Sequence, residues 1–197
     1  MTRRSPNAAD PTLRSLLWRL VGRWLYRWSF HNFYRLRHAL LVLHGARLGP
    51  NTKFRRTVRI DRPWNLGAGE LAMIGDHAVL HARAPLTIGD RSVVSQLAVI
   101  TTEVRDPAQS GHPSTAAPIV IEDDCWVAAD CLVLPGSIVR AGTVIGARSV
   151  VEGELPAGCV AVGDPAVPRR RRYWRIGDRL APVADDADDP ADSSSVD

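Results

Sequence analysis

From Ile121 to Pro156 an aliphatic residue returns at every sixth place: IEDDCW, VAADCL, VLPGSI, VRAGTV, IGARSV, VEGELP. Four places after each aliphatic residue stands a small one, Cys125, Cys131, Ser137, Thr143 and Ser149, until Leu155 ends the pattern. A period of six fits neither the 3.6 of a helix nor the two of an ordinary strand. It is the register of a solenoid in which short strands, separated by corners, wind into a parallel β-helix. The same rhythm starts at Leu48 with LGPNTK, FRRTVR, IDRPWN and LGAGEL, slips by two to IGDHAV and LHARAP, and slips by two again before IGDRSV, VSQLAV and ITTEVR. Pro107, Gly111, Pro113 and Pro118 then interrupt it between Asp106 and Pro118, which predicts an external loop within 103–118. About nine hexads before the loop and six after it make about five triangular coils, stacked ~4.8 Å apart. The β-helix domain is expected over 47–168.

Upstream the pattern is helical. Leu13, Leu16, Leu17, Leu20, Trp24 and Trp28 fall on one helical face, and Arg19, Arg23 and Arg27 recur every fourth residue on another. Asp10-Pro11-Thr12 is a helix start, Ser29 to Asn32 a break, Phe33 to His44 a second helix, and Gly45 its stop. Residues 11–46 are therefore two basic, aromatic helices. Downstream, Gly163-Asp164-Pro165 turns the chain out of the solenoid, and 169–181 is a basic segment. The ends, 1–10 and 182–197, have the composition of disordered chain.

Charge sharpens this division. Residues 1–59 carry 13 Lys/Arg against the single acid Asp10, whereas 182–197 hold six acids and no base. The basic end calls for anionic partners. Its two readings are a helical cap whose aromatic face packs on the solenoid end, and attachment to an anionic membrane surface with Trp at the interface and Arg toward headgroups. Nucleic acid is not expected, since no recognised module accompanies the charge. Three cysteines form no CxxC pair, and Cys125 and Cys131 occupy the small-residue place of the repeat, so burial as thiols is expected. That fits a cytoplasmic protein, peripheral at most at the inner face of the membrane. No signal peptide is evident, and no apolar run reaches the ~18 residues of a span.

A filled coil offers no deep internal cavity, so active surfaces must lie outside it, on faces, in loops or between subunits. The motifs HGARLG at 44–49, RPWNL at 62–66, IGDRSVVSQ at 88–96, CWVAADCLVLPG at 125–136, IGARSVV at 145–151 and GDPA at 163–166 carry a resemblance to the hexapeptide acyltransferases. The chain is most similar to the branch that acetylates sugars in exopolysaccharide (colanic-acid-type) synthesis. The resemblance implies a left-handed β-helix, a homotrimer and acetyl-coenzyme A held in clefts between subunits. It implies an O-acetyltransferase acting on a sugar or saccharide intermediate of exopolysaccharide or glycolipid synthesis. Ala129 and Ala147 would let the pantetheine arm approach the backbone, Ser149 matches a cleft-lining position, and Arg169, Arg170 and Arg171 (with Arg172) could pair with coenzyme phosphates. Where the family often has Thr-Lys after SVV, this chain has Glu152-Gly153.

Acyl transfer to a hydroxyl needs a base, and a neutral histidine suits that task near pH 7. The family keeps it in a Thr-Gly-Ser/Thr-His-Asp stretch just before the loop. The corresponding stretch here is Thr101-Thr102-Glu103-Val104-Arg105-Asp106, with Val104 in place of the histidine. Three substitutes are available: His112 within the loop, Glu103 beside the missing position, and His81 about one coil below Thr101. His77 and His81 do not make the three-histidine pattern of the β-helical carbonic anhydrases, so no metal is expected. The competing reading is a catalytically degraded trimeric scaffold that binds coenzyme A or a protein partner without turnover.

Overall fold

The computed structural model describes residues 12–182 apart from 106, 107, 109, 177 and 178. The expectations for 1–10 and for most of the acidic tail lie outside the described residues. Three parallel sheets form the faces of a left-handed β-helix. Sheet A stacks strands Arg47–Leu48, Leu66–Ala68, Leu86–Ile88, Ile119–Ile121, Ile138–Val139 and Glu154–Leu155. Sheet B stacks Lys53–Phe54, Met73–Ile74, Val93–Val94, Trp126–Val127, Val144–Ile145 and Cys159–Gly163, and closes with the antiparallel strand Ala166–Arg171. Sheet C stacks Arg59–Ile60, Val79–His81, Val99–Thr101, Leu132–Val133 and Val150–Val151. Five coils are complete, and a sixth stops after two sides.

The repeat works because its two inward places per hexad are filled by side chains of matched size. Ile74, Leu80, Val94, Ile100, Ile121, Val127, Val133, Val139, Ile145 and Val151 line the axis and are almost wholly buried. Each such side chain removed from water contributes ~1.5–3 kcal/mol. The small place sits at the corner, where only a methyl, thiol or hydroxyl fits, and there the hydroxyls answer backbone carbonyls left between strands. Thr52 Oγ1 donates to Gly49 O at 2.6 Å, Ser92 Oγ to Glu122 O at 2.7 Å, and Ser137 Oγ to Leu134 O at 2.7 Å. Cys125, Cys131 and Cys159 fill the same place and are free, buried thiols.

Coil length is not uniform, and the excess is gathered at one corner. Arg47 pairs with Gly67, and Gly67 with Thr87, so the first coils take 20 residues per turn; Val120 pairs with Ile138, a turn of 18. The two extra residues lie at the corner leading from sheet C to sheet A, at 61–65 and at 81–85. The first slip therefore precedes LGAGEL rather than following it, and Leu66 and Ala68 both face inward. The external loop leaves from this same corner. Its base is a short antiparallel hairpin of Glu103–Arg105 with Ser114–Ala116.

At the N-terminus α1 (Thr12–Leu17), a π turn (Trp18–Gly22) and α2 (Arg23–Trp28) form one continuous helix. After the break α3 (Tyr34–Leu43) follows. These helices cap the first coil. Trp18 is buried with its Nε1 donating to Ile60 O at 3.1 Å, and the Tyr26 hydroxyl donates to Arg55 O at 2.8 Å. Arg37 is wholly buried without a carboxylate. Its Nε donates to Phe54 O, Nη1 to Ser29 Oγ and Phe30 O, and Nη2 to His31 O, all at 2.8–2.9 Å. Burial of the guanidinium lowers its pKa, with the Tyr34 ring 4.7 Å away adding a cation–π contact. The packing face of the cap is thus made by Trp18, Tyr26 and Arg37. Trp24, Trp28, Phe30 and Phe33 stay exposed on its other side.

Candidate functional site

The enlarged corner assembles the first group of candidate residues. His81 ends its strand directly beside Thr101 of the next coil, and its carbonyl accepts from Thr102 N at 2.9 Å and Thr102 Oγ1 at 3.0 Å. The His81 ring is exposed on the outer surface. Glu103 follows Thr101 by two residues. Thr101 Oγ1 donates to Glu103 O at 2.7 Å, and the Glu103 carboxylate meets Arg83 Nε at 3.4 Å. His81, Arg83, Thr101 and Glu103 therefore share one patch at the root of the hairpin, with Glu103 engaged by Arg83.

Beneath this patch the first slip supplies its support. Asn65 Nδ2 donates to Ala82 O at 2.8 Å and Arg83 O at 3.0 Å, while Asp61 Oδ1 accepts from Ala82 N at 2.8 Å. Two polar side chains of the coil below thus hold the backbone that presents His81 and Arg83. In the sequence Asn65 is marked only as part of the RPWNL motif at 62–66, and Arg83 belongs to no motif. The available signal was that both two-residue slips fall at one corner.

His112 lies elsewhere. The hairpin's residue pairs put Ser114 two residues beyond its root at Ala116, about 7 Å of strand at ~3.3 Å per residue. His112 stands beyond that, exposed and in the left-handed region (φ 45°). The structure does not bring it to His81 and Glu103. Val104 is exposed on the first hairpin strand, paired with Thr115. If the Thr and Asp of the family stretch are set on Thr102 and Asp106, position 105 falls opposite the histidine. That residue is Arg105, so neither register supplies a base.

The second group lies on the opposite edge of sheet C, at the corner leading from sheet B. Ala129 and Ala147 are the middle residues of successive corners. Arg148 N donates to Ala129 O at 3.0 Å, which stacks one corner on the other. Neither alanine's own N–H has a partner among the described residues, and Ala147 is exposed. A shallow ledge of bare backbone results, because a methyl is all that projects from it. Ser149, by contrast, faces inward: it is buried, and its Oγ accepts from Gly163 N at 3.1 Å. It can shape the ledge only through the backbone.

Arg169, Arg170 and Arg171 belong to the strand Ala166–Arg171, paired antiparallel with Cys159–Gly163 at the top of sheet B. Arg169 and Arg170 are exposed and Arg171 half-buried. Arg172 is separated from them in role. Its Nη1 donates to Asp124 O at 2.6 Å and Gly142 O at 3.0 Å, and burial lowers its pKa.

The cysteines take no part in chemistry at either place. Burial pushes the Cys125 thiol up to about 11 and raises Cys131 and Cys159 as well, so none is a nucleophilic thiolate near neutral pH. No cluster of His, Cys, Asp and Glu able to hold a metal ion occurs among the described residues.

No protein-family model matches the chain. Individual proteins do. Over 156 residues the chain is 42% identical to the protein named colanic acid biosynthesis acetyltransferase WcaF of Escherichia coli, covering 79% of this chain and 86% of that one. The counterpart of the same name in Shigella flexneri matches equally. Among solved structures, a hexapeptide-repeat acetyltransferase of Vibrio cholerae superposes with a TM-score of 0.74 at 24% identity, covering 81% of this chain and 90% of that one. A galactoside acetyltransferase in complex with coenzyme A superposes with a TM-score of 0.75 at 19% identity, covering 92% of each chain. Those two likenesses concern the fold, and the 42% identity along most of both sequences concerns descent. The chain belongs to the hexapeptide-repeat acyltransferase family.

Proposed function

We propose that this protein is an acetyl-coenzyme A-dependent O-acetyltransferase whose acceptor is a saccharide of exopolysaccharide or glycolipid synthesis. The observation that carries the reading is the 42% identity to a colanic acid biosynthesis acetyltransferase across 86% of that protein's length. The backbone ledge at Ala129 and Ala147 would take the pantetheine arm, whose amides need hydrogen-bond partners. Arg169, Arg170 and Arg171 would meet the coenzyme phosphates, with Ser149 acting from inside the corner as a positioning residue.

In one chain the ledge and the His81 patch occupy opposite edges of sheet C. A homotrimer, in which one subunit's ledge faces the next subunit's patch, would bring thioester and acceptor together. His81 is the base we favour, because Thr101 and the Asn65 and Asp61 contacts fix its strand. The acceptor hydroxyl oxygen would bond to the thioester carbonyl carbon as its proton passes to an imidazole nitrogen. The C–S bond then breaks, and the coenzyme leaves as the thiol on taking up that proton. Glu103, through Arg83, would orient the acceptor, and His112 would reach the site only from the hairpin of an adjoining subunit.

The exposed Trp24, Trp28, Phe30 and Phe33 beside a basic helix support attachment at an anionic membrane surface, on the cytoplasmic side. No helix among the described residues is long and apolar enough to cross a membrane.

Thiol release from acetyl-coenzyme A over a panel of saccharide acceptors tests the assignment. His81→Ala is expected to lower kcat by 10²–10⁴-fold, the usual contribution of a general base, with coenzyme binding kept. Loss confined to His112→Ala or Glu103→Gln would move the base there. Coenzyme binding without turnover of any acceptor would sink the enzyme reading in favour of a scaffold.

A further inference from the structure

Between the first helix and the first coil lies a cleft of about 210 Å³ that acyl transfer does not use. Arg19, Arg23 and Arg27 reach it from the helix, and Arg56 and Arg59 from the coil. All five are exposed, and none has an ion-pair partner among the described residues. No acid lines the cleft. Asp61 faces an adjoining hollow that Arg19 and Arg23 also line, and there it is held by Arg62 at 2.9 Å.

This arrangement works against the free protein. Arg23 and Arg27 stand at i,i+4 on one helix face, where like charges destabilise a helix. Arg56 and Arg59 add the same sign from the facing wall. A multiply charged anion removes that repulsion, and a phosphoryl group matches the guanidinium fork with paired N–H donors. The π turn at Trp18–Gly22 lies within the stretch that carries Arg19 and Arg23, and such turns concentrate at functional places.

The mouth of the cleft indicates where the anion resides. Trp24 and Trp28 also line it, stacked at 5.1 Å and 13°, and each is about two-thirds exposed. Exposed indoles beside arginines suit the boundary between acyl chains and headgroups, not open water. Leu20, one helical turn before Trp24 on the same face, adds apolar surface beside them and is 71% exposed.

We propose that this cleft binds the phosphomonoester or diphosphate headgroup of an anionic lipid while the Trp24–Trp28 stack enters the bilayer interface. The proposal rests on the membrane-surface reading above and specifies its site and headgroup. Five guanidiniums around one small cleft favour a headgroup with more than one negative charge over a singly charged phosphodiester.

The test is co-sedimentation of the full chain with vesicles of phosphatidylcholine alone, and with phosphatidic acid or phosphatidylglycerol added to equal surface charge. Wild type is expected to bind both anionic vesicles and to prefer phosphatidic acid by about tenfold, within the range of one charge-assisted hydrogen bond. Arg23→Gln/Arg56→Gln abolishes that preference, and so does Arg23→Lys/Arg56→Lys, which keeps charge but loses the fork. Arg35→Gln/Arg47→Gln, removing equal charge outside the cleft, weakens binding to both vesicles alike and keeps the preference. Circular dichroism and melting curves establish that each variant is folded. Equal binding of both anionic vesicles by wild type, or a preference that survives the cleft variants, overturns the cleft and leaves the surface reading standing. Absence of binding to any anionic vesicle overturns both. Inorganic pyrophosphate separates the sources: if it binds wild type as tightly as phosphatidic acid vesicles do, the ligand is a free phosphate and the lipid assignment fails.

Discussion

Replacing Arg37 by methionine isolates what joins the helical cap to the solenoid. The side chain keeps most of its length and its apolar stem contacts, and loses the guanidinium. Four hydrogen bonds of 2.8–2.9 Å disappear with it. The carbonyls of Phe30 and His31 lie in the surface break between the helices and can be rehydrated. Phe54 is buried and its carbonyl belongs to the capped coil, so that acceptor is left without a donor. An orphaned buried acceptor costs about 1–3 kcal/mol, and each rehydrated one about 0.5–1.5 kcal/mol. Against this, a buried charge no longer has to be desolvated, the cost behind the lowered pKa of Arg37. The expected net loss is about 3 kcal/mol, a fall in Tm of roughly 6–12 °C for a chain of this size. Arg37→Ala adds a cavity and reaches about 4–5 kcal/mol, and Arg37→Lys, with fewer donors in the wrong geometry, falls between wild type and methionine. Urea unfolding of the three variants measures the losses, and amide exchange at α3 and the first coil locates them. An Arg37→Met variant within ~0.5 kcal/mol of wild type, inside the range of an ordinary surface substitution, would refute the reasoning.

Three further outcomes follow from the same contacts. The Cys125 thiol, pushed from 9.0 to about 11 by burial, is protonated in the folded chain where the unfolded chain has lost its proton. Stability is therefore fully present below pH 9 and lost as pH rises from 9 to 11, by about 2–3 kcal/mol, and urea titrations of Cys125→Ala should show a shallower alkaline loss. At Gly75 a Cβ would meet Gln96 N at 2.7 Å and Ser95 C at 2.8 Å, backbone atoms of the next coil that cannot step aside. Gly75→Ala should cost about 1–3 kcal/mol by thermal unfolding, the range of overpacking. Arg169→Gln/Arg170→Gln should raise KM for acetyl-coenzyme A about tenfold with kcat retained, and the difference should shrink with a coenzyme lacking its 3′-phosphate.

Periodicity made the solenoid legible because the constraint is local: each coil must present an aliphatic and a small residue inward at fixed places. The helical arm was legible for the same reason, with its break at Ser29 to Asn32 and its stop at Gly45. The sequence pattern sets the first two-residue slip one strand too late. Leu66 and Ala68 are both apolar and both inward, so the pattern alone could not say which begins the hexad. The site was less legible. The repeat sets His81 one coil below Thr101, and the register pairs the two side by side. That Glu103 is engaged by Arg83, that Asn65 supports the strand end, and that Ser149 faces inward depend on contacts between coils.

The repeat of six thus determined that the chain coils, how far, and which residues fill the coil, since inward packing repeats with the sequence. It also showed that a basic aromatic arm precedes the coil. Only the tertiary structure decided how that arm divides its residues. Trp18, Tyr26 and Arg37 seat it, Trp24 and Trp28 are left exposed, and Arg19, Arg23 and Arg27 face Arg56 and Arg59 across a cleft. In the sequence all of these are aromatic and basic residues at helical spacing. What separates them is which face of the helix meets the end of the coil, and that is set by packing between segments some 30–40 residues apart.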